Sequence, residues 1–270
     1  MRLLLEPGDA RDLDALAAAG EAARRCGLDG VLLGRTPLVS APLVAAAALA
    51  ARVASIRIAA EVEVGEAHPI EVAEEAAVVD VASGGRLILV ATPAPGREDR
   101  FGEALDLMRT ALSPAPFRVD GPTWRVPANL PANEHSLERR ARVTPSPVQP
   151  RLELWGAGAG REAALARGLG YLARADDDPA DLAGAWERAA AALGPAAIGA
   201  ARARRERYEG DPAALVARLR AGREAFGQSW AVVAAPGGAA PTISRWVRPR
   251  VQSDRLPEGL EAHWDATLPQ

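Results

Sequence analysis

The stretch from His68 to Thr92 constrains the fold most, because it holds a complete helix, the signal that ends it and a buried strand. Pro69 suits the first helical position, where the backbone N–H has no partner in any case. Apolar residues then recur at helical spacing: Ile70, Ala73, Ala77 and Val81. The segment Ser83-Gly84-Gly85 ends the helix, because glycine adopts left-handed backbone angles without steric cost. The apolar run 87–91 that follows is typical of a parallel strand covered on both faces.

The same alternation of strand and helix recurs along the chain and predicts a (β/α)8 barrel, an α/β fold with a parallel sheet. The predicted strands are 2–6, 31–34, 56–63, 87–91, 152–155, 170–172, 197–201 and 230–234. The chain has 270 residues, close to the roughly 250 of one such barrel, so we expect a single domain over 1–270. Residues 113–150 are rich in proline and lack periodicity, which predicts an irregular insertion after the fourth strand.

Composition excludes several classes of function. The net charge of −3 gives no electrostatic reason to bind nucleic acid. All 32 basic residues are arginine, which excludes a Schiff-base lysine and the lysine of a phosphate-binding P-loop. Cys26 is the only cysteine, and no histidine pair has metal-ligand spacing, so neither a disulfide nor a metal site is expected. No apolar stretch is long enough for a membrane span or a signal peptide, which predicts a cytoplasmic protein.

Three segments, in this order and at this spacing, resemble the bacterial luciferase-like monooxygenases. The first runs from His68-Pro69 through Ser83-Gly84-Gly85-Arg86, and the second is the helix from Arg100 to Arg109. The third begins at Pro145 and continues through Gln149-Pro150 into a strand and a glycine-rich turn. The resemblance covers roughly residues 55–175. It implies a barrel that depends on a flavin (FMN) or a deazaflavin (F420), acts on a small organic substrate and pairs as a homodimer.

The glycine-rich turn is the best candidate for a ligand site. It consists of Gly156, Ala157, Gly158, Ala159, Gly160 and Arg161, and it leaves a strand and opens a helix. Backbone N–H groups at such a turn can hold a phosphate, and glycine lets the backbone come close. In the resembling family this turn contacts the phosphate of the cofactor. The alternative is a tight strand-to-helix turn that binds no ligand.

Candidates for chemistry also lie at the ends of the third and fourth strands. Glu61 and Glu63 fall on one side of their strand, either toward the barrel interior or toward the helices. A charged pair inside would need partners, so the usual expectation is exposure at the strand end, although barrel active sites also lie there. His68 could take part in catalysis or satisfy the backbone at the start of a helix. Thr92 could donate a hydrogen bond to the cofactor ring or simply close its strand. The tryptophans Trp155 and Trp230 could stack on a ring or pack in the core.

The sequence also departs from the family pattern at two places. Gly34-Arg35-Thr36-Pro37 stands where F420-dependent members commonly have an Asp-His pair, and Pro93-Ala94-Pro95 stands where a Gly-x-Gly segment lies against the cofactor. Two hypotheses follow: an FMN- or F420-dependent oxidoreductase or monooxygenase, and a degenerate barrel without cofactor that acts as a binding or subunit protein. An unrelated barrel enzyme without a metal, such as an isomerase, is a third option.

Overall fold

Eight parallel strands and the helices between them form a closed barrel, which confirms the predicted (β/α)8 architecture. The computed structural model describes residues 1–8, 10–34, 41–128, 139–194 and 200–252. The barrel strands are β1 (Arg2–Pro7), β2 (Gly30–Leu33), β3 (Arg57–Val64), β4 (Leu87–Pro93), β7 (Glu153–Ala157), β8 (Gly170–Ala173), β9 (Arg202–Arg207) and β10 (Trp230–Ala235). Their order around the barrel is β1-β10-β9-β8-β7-β4-β3-β2, with β2 closing on β1.

The helices pack outside the barrel and begin at recognisable caps. They are α1 (Leu13–Arg25), α2 (Pro42–Arg52), α3 (Pro69–Ser83), α4 (Glu98–Ala111), α5 (Arg161–Leu165), α6 (Pro179–Leu193) and α7 (Pro212–Phe226), followed by helical segments over 240–252. Asp178 and Asp211 accept hydrogen bonds from backbone N–H groups of the first turns of α6 and α7, and a proline follows each. Asp12 caps α1 in the same way. In the described parts of the chain, no helix is long and apolar enough to cross a bilayer.

The seventh barrel strand lies at a different place from the predicted one. The sequence favours Ala197–Ala201, whereas β9 runs over Arg202–Arg207 and five of its six residues are charged. A charged run is typical of a solvated segment, and here tertiary pairing overrides that preference. Arg204 and Glu206 pair on the outer face of the strand, and Arg205 pairs inside the barrel.

The barrel interior is a packed apolar core that is closed at the amino-terminal end by two tryptophans. Side chains of alternating strand residues fill it, among them Leu4, Leu32, Ala59, Ile88, Val90, Leu172, Ala203 and Val232. Trp155 and Trp230 meet edge to face with ring centroids 5.2 Å apart, and Arg2 lies 4.8 Å from the ring of Trp230. Both rings are nearly inaccessible, so of the two predicted uses the structure supports core packing.

Arg86 joins several elements at the amino-terminal face of the barrel. Its guanidinium donates to Ser83 O at the end of α3, to Ala50 O and Val53 O at the end of α2, and to Ile56 O before β3. The last carbonyls of a helix have no partner within the helix, so one planar five-donor group satisfies both helix ends. Burial lowers the pKa of Arg86. The Ser-Gly-Gly-Arg segment is therefore a structural joint.

Asp80 binds the segment that leads into β7. Its buried carboxylate accepts hydrogen bonds from the backbone N–H groups of Val148 and Gln149, at 2.8 and 3.0 Å, and from Gln149 Nε2 at 2.7 Å. Gln149 Nε2 also donates to Leu87 O, 2.8 Å away in β4. Helix α3 and the Pro-Gln-Pro segment therefore contact each other directly, although they lie almost 70 residues apart in the sequence.

In its described parts, 113–128 and 139–150, the insertion after α4 contains regular structure that the sequence does not predict. It contains a two-stranded hairpin, β5 (Val119–Asp120) and β6 (Arg125–Val126), and an isolated bridge between Phe117 and Ala141. Glu103 of α4 accepts hydrogen bonds from the backbone of Thr123 and Trp124 in the hairpin turn. Residues 129–138, which include His135, lie outside the described residues, as does His263.

Candidate functional site

The carboxyl ends of the barrel strands, here called the mouth, hold the candidate site. A cavity of about 820 Å³ is bounded by the ends of β1, β2, β9 and β10, and a smaller one of about 290 Å³ lies at the glycine-rich turn after β7. A cavity of about 740 Å³ also lies at the amino-terminal face, beside Arg57 and Glu153. Active sites of this architecture lie at the carboxyl ends of the strands, so we assign function to the mouth.

Of the three glycines in the glycine-rich turn, only Gly158 faces open space. A Cβ at Gly156 would lie 2.5 Å from Ala164 Cβ, and one at Gly160 would overlap the ring of Phe101, so these two glycines permit close packing. A Cβ at Gly158 would meet nothing nearer than Arg174 Nη2 at 3.7 Å and Thr92 Cγ2 at 3.9 Å. Ala157 points into the barrel core, and Ala159 is exposed. Gly158 has φ +60°, which glycine adopts without strain.

Two arginines and a tyrosine surround Gly158. Arg161 and Arg174 line the smaller cavity, and the Arg174 guanidinium makes no hydrogen bond or ion pair with any residue that the structure describes. Tyr171 donates from its hydroxyl to Gly158 O at 2.9 Å and so fixes the turn. Burial, together with the charge of Asp177, raises the pKa of Tyr171 to about 12, so this hydroxyl stays protonated at neutral pH. Glu162 and Asp177 also line this cavity, and Glu162 pairs with Arg161 at 3.4 Å, so Arg174 supplies the cation next to the glycine that has no side-chain partner among the described residues.

Thr92 contacts both the strand beside it and the space at the turn. Its Oγ1 donates to Val62 O in β3 at 3.2 Å, which closes the end of β4. Its methyl group faces the position above Gly158. Thr92 is thus adjacent to the turn, with its hydroxyl already bonded to the backbone.

An ion-pair triad crosses the mouth inside the barrel. Arg205 donates from Nε and Nη2 to the two carboxylate oxygens of Glu6, at 3.1 and 3.2 Å, and from Nη2 to Glu61 Oε2. The three residues come from β9, β1 and β3, so the triad joins strands that are not neighbours in the sheet. Glu61, which the sequence leaves either inward or exposed, points inward, and its side chain is only 17% exposed. Glu63, two residues later, is exposed.

Burial and charge oppose each other within the triad. Burial raises the pKa of Glu6, and the nearby Arg205 offsets only part of that increase. Burial also disfavours the charged form of Arg205, but the two carboxylates outweigh this, so the pKa of Arg205 is raised and the guanidinium remains charged. The triad carries one net negative charge when both carboxylates are ionised.

His68 caps α3. Its Nδ1 accepts a hydrogen bond from Ile70 N at 3.2 Å, and its ring meets Trp124 of the insertion edge to face, with centroids 6.3 Å apart. This geometry gives His68 a structural role at the start of a helix and leaves its part in catalysis a prediction. The described residues around it contribute no other histidine.

Three residues that form the site were not predicted from the sequence. Arg174 directly follows the buried strand β8, and a basic residue in that position is a signal that the sequence contains. Arg205 could not be identified, because its strand was placed too early, and Glu6 was assigned only to the end of a strand. Residues 35–37, where the sequence departs from the Asp-His pair, lie outside the described residues.

Several solved structures have a similar barrel fold. A monooxygenase from Streptomyces bottropensis is 16% identical, with a TM-score of 0.72 over 93% of this chain and 99% of that one. An F420-dependent secondary alcohol dehydrogenase, solved with an F420-acetone adduct, is 14% identical, with a TM-score of 0.73 over 94% of this chain and 100% of that one. The oxygenating constituent of 3,6-diketocamphane monooxygenase from Pseudomonas putida, solved with FMN, is 16% identical, with a TM-score of 0.66 over 95% and 99%.

At such low identity these likenesses establish the fold. No curated protein sequence matches the chain. The model of the luciferase-like monooxygenase family, however, matches residues 2–192, well over half of the chain. The protein belongs to the luciferase-like monooxygenase family.

Proposed function

We propose that the protein is an FMN- or F420-dependent oxidoreductase or monooxygenase that binds a small organic substrate at the mouth of its barrel. The observation that carries the proposal is the open space over Gly158, between Arg174 and Thr92, here called the cradle. The guanidinium of Arg174 beside it has no partner among the described residues. Both cofactors have an anionic phosphate-bearing tail. Relatives of this fold solved with F420 and with FMN support either cofactor.

The residues at the cradle fit such a tail by charge and by space. Arg174 and Arg161 bring two guanidinium groups to a cavity whose floor is a glycine without a side chain, and of the two only Arg161 is paired, with Glu162, among the described residues. A guanidinium donates several hydrogen bonds in a planar fork that matches a phosphate. The following helix α5 has only five residues, so the arginines rather than a helix dipole would supply most of the attraction.

The larger cavity gives the proposed substrate class. Its walls are mainly apolar, with Leu16, Leu32, Ala234 and Pro236 among the lining residues. The charged lining residues are Glu6, Arg11, Arg205, Glu206 and Arg207, so the triad forms part of the wall. Its volume of about 820 Å³ falls within the roughly 300–1,000 Å³ of small-molecule sites. When bound, the cofactor would supply the hydride transfer or, with oxygen, the oxygen-insertion chemistry. The chain would hold the substrate, orient it and exclude water.

We also propose that the protein is a homodimer of the cytoplasm. The surface of α2 supports the dimer, because Val44 is 67% exposed and the other outward residues of this helix are alanines until Arg52. The neighbouring helix α3 exposes Val78 and Val81. Exposed apolar patches of this kind mark association surfaces. Light scattering coupled to gel filtration would give twice the chain mass of 28.2 kDa, and a monomeric mass would contradict the dimer.

Titration of the purified protein with FMN and, separately, F420 tests the function. Quenching of cofactor fluorescence should saturate with at least one of them. Gly158→Ala should weaken that binding, because the added methyl group occupies the cradle. Gly84→Ala is the matched control, since Gly84 has a similar φ of +66° and open space around it. If neither cofactor binds at high micromolar concentration, the degenerate barrel without cofactor becomes the better hypothesis.

A further inference from the structure

We propose that Glu61 and Arg205 recognise the pyrimidinedione edge of the cofactor ring, with Glu61 accepting from its ring N–H and Arg205 donating to the adjacent carbonyl. This inference rests on the proposed function and names the residues that would position the ring. The triad would bind the ring of the cofactor inside the mouth, whereas the Gly158 cradle would bind its phosphate-bearing tail. The two parts of the site can therefore fail separately.

The hydrogen bonds of the triad leave one acceptor and one donor free. Glu6 occupies Nε and Nη2 of Arg205, and Glu61 Oε2 shares Nη2. Among the residues that the structure describes, Glu61 Oε1 accepts no hydrogen bond and Arg205 Nη1 donates none. Neither atom belongs to the buried polar atoms that lack a partner, so both retain access to solvent. A ligand at the mouth could reach both atoms.

The pattern of these free groups matches the ring that FMN and F420 share. The pyrimidinedione edge of both cofactors presents an N–H between two carbonyl oxygens. A carboxylate oxygen accepts from that N–H, and a guanidinium N–H donates to a flanking carbonyl. Both hydrogen bonds involve a charged protein group, which makes them stronger than neutral ones.

The triad is also placed at the right distance from the cradle. Gly158 follows β7, Arg174 follows β8 and Arg205 lies in β9, and these three strands are consecutive in the barrel. Neighbouring strands lie about 4.8 Å apart, so Gly158 and Arg205 are separated by roughly 10 Å. A ribityl chain spans that order of distance between its phosphate and its ring.

Stability alone does not explain the triad. An ion pair inside a protein loses hydration, and replacing it by well-packed apolar side chains is often neutral or stabilising. Ionisable groups that lie in a cleft and have shifted pKa values, as Glu6 and Arg205 do, are candidates for a functional site. Glycine at position 34 keeps the triad accessible, because a Cβ there would lie 3.3 Å from Glu6 Oε1 and 3.5 Å from Glu61 Oε2.

The test compares each cofactor with its N3-methyl derivative, which cannot donate from the ring N–H. In the wild-type protein, methylation should weaken binding of whichever cofactor binds by roughly ten- to hundredfold, as expected for a hydrogen bond to a charged group. In Glu61→Ala the parent cofactor should bind more weakly, and the two compounds should then bind equally. Glu61→Gln, which keeps an acceptor oxygen, should retain part of the discrimination. Glu66→Ala, an exposed carboxylate beyond the same strand, should behave like the wild type.

The outcomes separate this inference from the proposed function. If a cofactor binds but methylation has no effect, or has the same effect in Glu61→Ala, the assignment of Glu61 is wrong and the proposed function stands. If neither cofactor binds to the wild-type protein, the proposed function fails and this inference falls with it. Circular dichroism and a thermal melt of each variant establish that it is folded before affinities are compared.

Discussion

The two ends of the barrel use charged residues differently. At the amino-terminal face, Arg86 and Asp80 are saturated with hydrogen bonds to backbone groups, and each joins elements that are distant in sequence. At the mouth, the Arg174 guanidinium has no partner among the described residues, and Glu61 and Arg205 each retain an unused polar atom. A saturated charge fixes the fold, whereas an unsaturated charge beside a cavity is available to a ligand.

This contrast explains why the family motifs and the candidate site do not coincide. The Ser-Gly-Gly-Arg and Pro-Gln-Pro segments meet at the amino-terminal face, where they hold α2, α3 and β4 together. In this fold, stability resides at that end and chemistry at the other. The motifs that identify the barrel therefore say little about its ligand.

Arg86→Met should give the largest effect. The variant keeps the apolar stem but leaves four backbone carbonyls without their donor, which should lower the free energy of unfolding by roughly 3 to 5 kcal/mol. Urea denaturation measures the loss. Arg52→Met removes an exposed arginine near the end of α2 and should cost less than about 1 kcal/mol. If both variants lost the same free energy of unfolding, Arg86 would have no special role in holding the amino-terminal face together.

Asp80→Asn should follow, with a loss of roughly 2 to 4 kcal/mol. The substitution turns an amide NH2 toward groups that are themselves donors, namely the backbone N–H groups of 148 and 149 and the side chain of Gln149. Asp181→Asn, an exposed residue in the first turn of α6, is the control and should be nearly neutral. Unchanged stability in Asp80→Asn would show that the Pro-Gln-Pro segment does not depend on this carboxylate.

Arg174→Gln should have the opposite effect to the two preceding variants: it should weaken cofactor binding and leave stability nearly unchanged. Binding of FMN or F420 should weaken roughly tenfold or more, because a charge-assisted hydrogen bond to phosphate is lost. The free energy of unfolding should change by less than about 0.5 kcal/mol. Fluorescence titration and urea denaturation on the same samples measure both quantities. Arg151→Gln, an exposed arginine at the opposite face, should leave binding intact, and weaker binding in both variants would indicate a general charge effect.

Glu6→Gln should give the smallest of these effects, a change in how the free energy of unfolding depends on pH. Because burial raises the folded-state pKa of Glu6, the folded protein keeps this proton after the unfolded chain has lost it. Stability should therefore fall as pH rises above the ordinary value of 4.5, by at most about 1.4 kcal/mol per pH unit. Urea denaturation at several pH values should give a flatter profile for Glu6→Gln. Glu206, whose pKa burial also raises, contributes equally to both proteins.

Much of the fold was predictable because local signals agreed with the tertiary structure. Proline-led helix starts after Asp178 and Asp211 and apolar runs such as β4 appear in the sequence as in the structure. The seventh strand was misplaced because charged residues normally indicate solvent, whereas here Arg205 pairs across the barrel with Glu6 and Glu61, and Arg204 pairs with Glu206 on the outer face. Long-range pairing of this kind leaves no trace in local periodicity.

The candidate site was predictable only in part. The glycine-rich turn was found from its composition, but the sequence could not show that Gly156 and Gly160 accommodate Ala164 and Phe101 while Gly158 faces space. Which glycine packs and which stays open depends on neighbouring helices. The cation that completes the cradle comes from the next strand, and only the closed barrel brings it there.

The pair of tryptophans at the base has a further consequence. Because Trp155 and Trp230 close that end and apolar side chains fill the space above them, the described residues leave the barrel interior open only at the mouth. A ligand that enters the interior there would also leave there, so incoming and outgoing ligands would compete for one passage.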